Sequence, residues 1–372
     1  MIEDQTTRTS PRSAGEDGAG EGGGGGQEYA LLLAPSANRV YADQAPRLAQ
    51  AELTAFGDRV LHAGLRDVAE VRLGGLPYVG FRTARPLDHD DVAYVSHVSS
   101  AYALFAREGA LLRPVTLTPP ARYDDDLITI PKYAGKTNEQ FTRLLLNLTV
   151  LASRRAAEMR QRQLVVLDPL CGRGTTCNQA LMYGYDAIGI EADGGHVEAY
   201  ATFLRTWLRR KRLKHTVEVT PVRRERKRVA RKLTATMAPS RDAHRAGDTQ
   251  QVTVFHADTT RARELLKAGC CDVIVTDAPY GVVHGSRTTE WAGPSRNPRA
   301  LLAGALDGWV ELLRRGGALG LSFNSHVTPR TEIVTLLERA GLSVVSGPGY
   351  DGLSHRVDQG ITRDVVVARK PT

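Results

Sequence analysis

Four residues, Asp277-Ala278-Pro279-Tyr280, close the apolar run Cys271-Asp272-Val273-Ile274-Val275-Thr276. A buried strand that ends in a carboxylate, a small residue, a rigid turn and an aromatic ring suits the capture of a planar base. Exocyclic base amines are poor nucleophiles, because the nitrogen lone pair is delocalised into the ring. Asp277 can accept one N–H of such an amine, and the carbonyl of Ala278 or Pro279 can accept another. Both bonds favour a more tetrahedral nitrogen. Pro279 fixes the backbone, so the acceptors are set before any reaction. Tyr280 can stack on the base and keep it aligned, and alignment of two reactants supplies roughly 7–11 kcal/mol in favourable cases.

A second element, Val165-Val166-Leu167-Asp168-Pro169-Leu170-Cys171-Gly172-Arg173-Gly174-Thr175-Thr176, has the form of a strand, a glycine loop and a helix start. The glycines permit close backbone approach to a ligand, and the helix N-terminal amides face it. The pattern is neither G-x-G-x-x-G nor a P-loop. The next strand, Ala187-Ile188-Gly189-Ile190, ends in Glu191. A carboxylate at that interval is placed to accept both hydroxyls of a ribose. A third strand, Val252 to Phe255, leads to His256-Ala257-Asp258. Asp258 can accept from an adenine amine, and Asp168 can pair with an ammonium. Three acidic residues after three successive strands suit a nucleoside ligand better than three solvated loop ends.

These residues need a sheet to hold them. Strands are expected at 164–168, 186–190, 252–256, 272–276, 317–323, 342–346 and 364–369, with helices near 175–183, 194–213, 260–267, 299–314 and 327–340. Such alternation argues a mostly parallel α/β sheet covered on both faces. The last strand follows its predecessor without a helix and is expected to pair antiparallel. A helix from Glu139 to Met159, capped by Thr137-Asn138, precedes the first strand. Residues 121–135 form a connector, with a short strand at Leu127 to Ile130. Residues 28–120 read as a small α+β domain: a strand at Tyr29 to Ala34, a helix at Ala42 to Phe56, two strands between Val68 and Phe81 joined at Gly74-Gly75, and a helical run from Val92 to Ala106. Residues 1–27, with the unbroken glycine run 22–26, are expected to be a disordered tail.

The four cysteines are too few for a disulfide scaffold in a chain this long and fit no zinc spacing, so a reduced, cytoplasmic setting is the expectation. No apolar run approaches the roughly 18 residues of a membrane span, and the N-terminus lacks the apolar core of a secretory leader. Net charge is +8 and the isoelectric point about 9.4. Residues 201–245 hold fifteen Lys/Arg against three Asp/Glu, a net of +12, so the remainder of the chain is acidic overall. The clusters Arg209-Arg210-Lys211-Arg212 and Arg223-Arg224-Glu225-Arg226-Lys227-Arg228 suit sequence-independent phosphate binding. A solvated basic loop within an insertion at about 214–250 is the competing reading. Trp207 is expected to pack on its helix.

The chain resembles the class I S-adenosylmethionine-dependent methyltransferases, and among them the THUMP-associated tRNA guanine-N2 methyltransferases, over roughly residues 130–370. Asp168 to Gly174 is similar to that family's D-P-F-C-G-x-G, with Leu170 and Arg173 substituted. Asp277 to Gly281 is similar to D-P-P-Y-G, with Ala278 for the first proline. Lys136-Thr137-Asn138 resembles the segment that closes over the cofactor. The resemblance implies a Rossmann-like seven-stranded methyltransferase sheet, S-adenosyl-L-methionine as cofactor and tRNA as partner. It does not extend to residues 28–120, which do not match a THUMP domain and are a candidate RNA-docking element. It implies cofactor contacts from Lys136, Thr137, Asp168, Leu170, Cys171, Gly172, Gly174, Thr175, Glu191, Asp258 and Asp277. Catalysis falls to Asp277, Ala278, Pro279 and Tyr280. Gly281, His284, Arg287 and Trp291 are further candidates for contact with the nucleotide, and Arg173 for contact with a phosphate. DNA adenine-N6 or cytosine-N4 methylation needs the same target-loop geometry, and a non-catalytic RNA-binding scaffold is the remaining alternative. A base inside a duplex cannot reach such a pocket, so the target must be unpaired or flipped.

Overall fold

The computed structural model describes residues 26–36, 38–161, 164–224, 227–280 and 298–372. The expected N-terminal tail falls almost wholly outside them. So do Gly281, His284, Arg287, Trp291, Glu225 and Arg226.

The chain begins with strand β1 (Gln27–Leu33), helix α1 (Arg39–Arg59), β2 (Leu65–Leu73), β3 (Leu76–Thr83), α2 (His89–Val95), β4 (Ala101–Glu108) and β5 (Leu111–Val115). The five strands form an antiparallel sheet in the order β2-β3-β1-β4-β5. Gly74 and Gly75, both at positive φ, make the two-residue turn between Leu73 and Leu76, the geometry that matches strand twist in tight hairpins. The helical run expected from Val92 to Ala106 is not one element. The helix stops at Val95, the chain turns at Ser99-Ser100, and Ala101–Glu108 is a strand paired with β1. Leu104 and Ala106 are buried two residues apart, a strand period that the surrounding alanines disguised as a helical one.

Next come α3 (Asp126–Thr129) and α4 (Glu139–Ala152). The strand expected at Leu127 to Ile130 is this single helical turn, because Leu127 N and Ile128 N bond back to the Asp124 and Asp125 carbonyls. The helix expected to reach Met159 ends at Ala152. Ser153 turns extended, its Oγ donating to Val150 O, and Arg154 N bonds Gly316 O.

The larger sheet follows: β6 (Val165–Asp168), α5 (Thr175–Met182), β7 (Asp186–Glu191), α6 (Gly194–Arg210), β8 (His215–Arg224), β9 (Lys227–Met237), α7 (Arg241–Arg245), β10 (Gln250–His256), α8 (Ala262–Leu265), β11 (Cys271–Asp277), α9 (Pro298–Leu312), β12 (Leu313–Asn324), α10 (Arg330–Arg339), β13 (Ser343–Val344), β14 (His355–Arg356) and β15 (Thr362–Arg369). The strand order is β13-β15-β12-β11-β6-β7-β10-β9-β8, with β14 on β15. β10, β7, β6, β11 and β12 are parallel neighbours, and β15 runs antiparallel to β12. The α/β class and the antiparallel last strand are as expected, and all seven expected strands are present. The basic insertion adds β8 and β9, an antiparallel hairpin that widens the sheet beside β10. Of its side chains, Val217 and Val219 pack partly, and Leu233, Ala235 and Met237 fully, into the core. The helix expected at 260–267 is a 3-10 turn at 259–261 followed by the single turn of α8.

Helix α4 joins the two sheets. Its side chains are almost all buried, and one apolar cluster runs from Leu31 and Phe56 through Phe141 and Leu148 to Val166 and Val275. Glu52, fully buried on α1, accepts from Ser99 N (2.9 Å), Ser99 Oγ (2.6 Å) and Asn147 Nδ2 (2.6 Å). Burial pushes its carboxyl above the ordinary range, and these donors offset that in part. Arg59 caps the end of α4, donating to the carbonyls of Leu151 (2.9 Å) and Ser153 (3.1 Å).

Candidate active site

The sequence runs from β6 to β7 and β10 on one side of the sheet, and through β11 and β12 on the other. β6 and β11 therefore flank the switch in strand order, where open α/β sheets form a crevice beyond their carboxyl ends. Asp168 ends β6 and Asp277 ends β11.

Asp168 is buried. Its Oδ1 accepts from Leu170 N (3.1 Å) and from Thr276 Oγ1 (2.9 Å), the residue before Asp277. Burial pushes its carboxyl up to about 6, against the hydrogen bonds that favour the anion, and the nearby Asp277 adds to the rise. After Asp168 the loop is pinned by Cys171 N to Ile190 O (3.0 Å) and Gly174 N to Cys171 O (2.8 Å). Gly172 takes φ +52° and has open space where a Cβ would stand, so its backbone is free for close approach. Gly174 takes φ +83°, and a Cβ there would stand 2.5 Å from the buried Tyr200 ring. Gly189 leaves room for Cys171, whose Sγ would lie 2.6 Å from a Cβ. Thr175 opens α5 and shares a 2.8 Å hydrogen bond with Tyr133 OH. Arg173 stacks on Tyr133, its guanidinium carbon 5.0 Å from the ring centroid.

Glu191 is held by two backbone amides, Gly172 N on Oε2 (2.8 Å) and Asp193 N on Oε1 (2.7 Å). Burial raises its pKa, and the Asp193 amide and His196 work against that. These bonds fix both oxygens at the rim and leave lone pairs for further donors. Asp258 starts the turn after β10, where its Oδ1 accepts from Thr260 N (2.9 Å) and Oγ1 (2.8 Å), so this oxygen caps a helix.

Asp277 is the hub of the site. Its Oδ1 accepts from Ser322 Oγ (2.6 Å) on β12, and its Oδ2 from Thr137 Oγ1 (2.8 Å). Tyr280 OH lies within hydrogen-bond reach of both oxygens. Arg363 on β15 reaches Asp277 Oδ2 at 3.4 Å and Tyr280 OH through Nε at 2.7 Å. The Arg363 guanidinium is buried, and its carbon lies 4.1 Å from the Phe141 centroid. Burial opposes its charge, but Asp277 and Tyr280 hold its pKa above the ordinary range. Burial, then Asp277, raises that of Tyr280. Ala278 is buried, with its N bonded to Ser322 O (2.8 Å), while Pro279 is exposed.

Of the segment before α4, Thr137 reaches Asp277 directly. Lys136 is turned elsewhere, donating to Ile128 O (2.6 Å) and pairing with Glu139. A pocket of about 450 Å³ opens beside Thr137 and Arg363, also lined by Asn38, Tyr41, Asn138 and His355. Nδ1 of His355 lies 2.9 Å from Leu353 O, and its buried Nε2 has no hydrogen-bond partner among the described residues. Burial depresses this imidazole to about 4, so it is neutral near pH 7. Nδ1–H then donates to the carbonyl and Nε2 can only accept.

The structure thus brings Asp168, Gly172, Glu191, Thr137, Asp277 and Tyr280 to one rim. Sequence reasoning missed Thr276, Ser322, Arg363 and His355. Only the position of Arg363 near the start of the apolar last strand hints at a buried partner.

No family model matches the chain, and no curated protein matches its sequence. Among solved structures it is similar to TrmN from Thermus thermophilus, at 12% identity and a TM-score of 0.41 over 92% of this chain and 99% of that one. It is also similar to 1,6-didemethyltoxoflavin-N1-methyltransferase of Burkholderia thailandensis, at 17% identity and 0.32 over 65% and 94%. A third is a TehB-like SAM-dependent methyltransferase of Corynebacterium glutamicum, at 12% and 0.31 over 56% and 80%.

Proposed function

We propose that this chain is an S-adenosylmethionine-dependent methyltransferase that modifies an exocyclic amine of a nucleic-acid base, with guanine N2 in tRNA as the target. One observation carries the reading. Two carboxylates, Asp168 and Asp277, end the strands that flank the sheet's switch point and are linked through Thr276.

The donor set fits the cofactor. Asp168 offers a buried carboxylate to an ammonium, Glu191 offers fixed oxygens to ribose hydroxyls, and Gly172 leaves its backbone face open. When bound, S-adenosylmethionine supplies a methyl group on a sulfonium. Asp277 accepts an N–H of the target amine and so raises electron density on that nitrogen. Thr137, Ser322 and Arg363 hold the carboxylate in position before the amine arrives, which removes reorganisation from the reaction. Tyr280 must exchange its bond to Asp277 for contact with the base. Guanine offers N–H donors on the edge that bears N2, which suit the acceptor-only carboxylate of Asp277. Tyr102 and Leu111, exposed on β4 and β5, give the small sheet a surface for RNA docking. Among the described residues no helix is long and apolar enough to cross a membrane.

The test is methyl transfer to unmodified tRNA transcripts and to duplex DNA, read by mass spectrometry of the digested nucleosides. N2-methylguanosine is the expected product, and Asp277→Ala is expected to lower the single-turnover rate about 10²–10³-fold. N6-methyladenine or N4-methylcytosine in DNA would replace the target. Cofactor binding without transfer to either polymer would point to a scaffold.

A further inference from the structure

The basic stretch that reads as one segment in sequence is divided in two by the fold. Helix α6 leaves the carboxyl end of β7 and runs back along the sheet. Arg209, Arg210, Arg212 and Lys214 therefore reach the opposite rim, where Ala238 N bonds Lys214 O (3.1 Å) and His215 faces Met237, itself paired with Gln250 at the start of β10. Lys211 in this group is tied to Asp124 and Asp126, each at 2.7 Å.

The hairpin then returns to the active-site rim. Glu191, His256, Arg231 and Pro221 form one row across β7, β10, β9 and β8. Beyond that row the hairpin continues through the pairs Val222–Ala230, Arg223–Arg228 and Arg224–Lys227. At the strand rise this carries it about 10 Å past the carboxyl ends of its neighbours. Arg223 and Arg224 are exposed there.

The rim itself is acidic, with Asp168, Glu191 and Asp277 on it, so a polyanion approaching it needs cationic contacts nearby. We propose that the hairpin end bearing Arg223 and Arg224 is a phosphate-binding arm for the nucleic-acid backbone, and that the Arg209 to Lys214 cluster is not part of this surface. The inference rests on the nucleic-acid reading above. β9 lies four strand spacings from β11, about 20 Å, a span of roughly six stacked nucleotides. Guanidinium groups suit the role because they grip phosphate oxygens bidentately.

The experiment is fluorescence anisotropy with an unmodified tRNA transcript over a salt series, using wild type, R223E/R224E and R209E/K214E. The arm predicts weaker binding by R223E/R224E and a plot of log Kd against log salt flattened by about 1–2 units. R209E/K214E should keep the wild-type slope. An unchanged slope in R223E/R224E, or a larger loss in R209E/K214E, overturns the arm while leaving the nucleic-acid substrate standing. Absence of wild-type binding overturns both. Calorimetry with S-adenosylmethionine should give equal affinities for all three proteins, and a loss in R223E/R224E would show that the hairpin acts through the fold and not through phosphates.

Discussion

Asp168→Asn separates what the site costs the fold from what it gives the cofactor. Burial lifts the Asp168 carboxyl from 3.8 to about 6. The folded protein therefore binds this proton more tightly than the unfolded chain does. The stabilising contribution is complete below about pH 3.8 and is lost as pH rises to about 6. A gap of about two units at 1.36 kcal/mol each puts the loss on the order of 3 kcal/mol. Asparagine keeps the shape and carries no charge at any pH. The stability of the variant relative to wild type should therefore grow by up to about 1.4 kcal/mol per pH unit across that window and level off above it. Urea unfolding of both proteins across that window and above measures it. A difference that stays constant would refute the burial-driven shift. Cofactor binding should change in the opposite sense. An ammonium selects the ionised carboxylate, so wild-type affinity for S-adenosylmethionine should fall about tenfold per unit below pH 6, and Asp168→Asn should bind weakly throughout. A flat pH profile for wild type would remove Asp168 from the ammonium contact.

Gly174→Ala should destabilise the protein by about 2–4 kcal/mol, because it combines left-handed backbone strain with overpacking. The Tyr200 ring cannot yield, since its hydroxyl is fixed on Asn178 Oδ1 at 2.8 Å, and denaturant unfolding that matches wild type would contradict the geometry. Glu191→Ala should weaken S-adenosylmethionine binding by about 1.5–3 kcal/mol through the lost charged acceptor, and calorimetry showing equal affinity would exclude Glu191 from the ribose contact.

The parallel core was legible because its strands are buried on both faces. Val273, Ile274 and Val275 on β11 are an unbroken apolar run of that kind, and Val365, Val366 and Val367 give the same signal on the antiparallel β15. The acidic strand ends followed from the same pattern. Three features were hidden for physical reasons. The β4 strand lies in a run of small and aromatic residues that satisfies either period. The hairpin β8–β9 alternates Val217 and Val219 with polar residues, but its arginines dominate the composition and imitate a solvated loop. Three partners of Asp277 come from positions 137, 322 and 363, so only the folded chain brings them to one carboxylate. The sequence also fused two basic clusters that the direction of α6 sends to opposite rims.

The apolar cluster shared by the two sheets makes the molecule a caliper. Glu52, Asn147 and Arg59 fasten α1 to α4, and α4 packs against β12 and β15. Along this route, among the described residues, the contacts run through buried side chains of α1 and α4. A ligand gripped on the outer strands of the small sheet would thus be held at a constant distance from the carboxylate. Selection of one position within a long folded polymer then requires no reading of the residues in between, because the spacing is built into the protein.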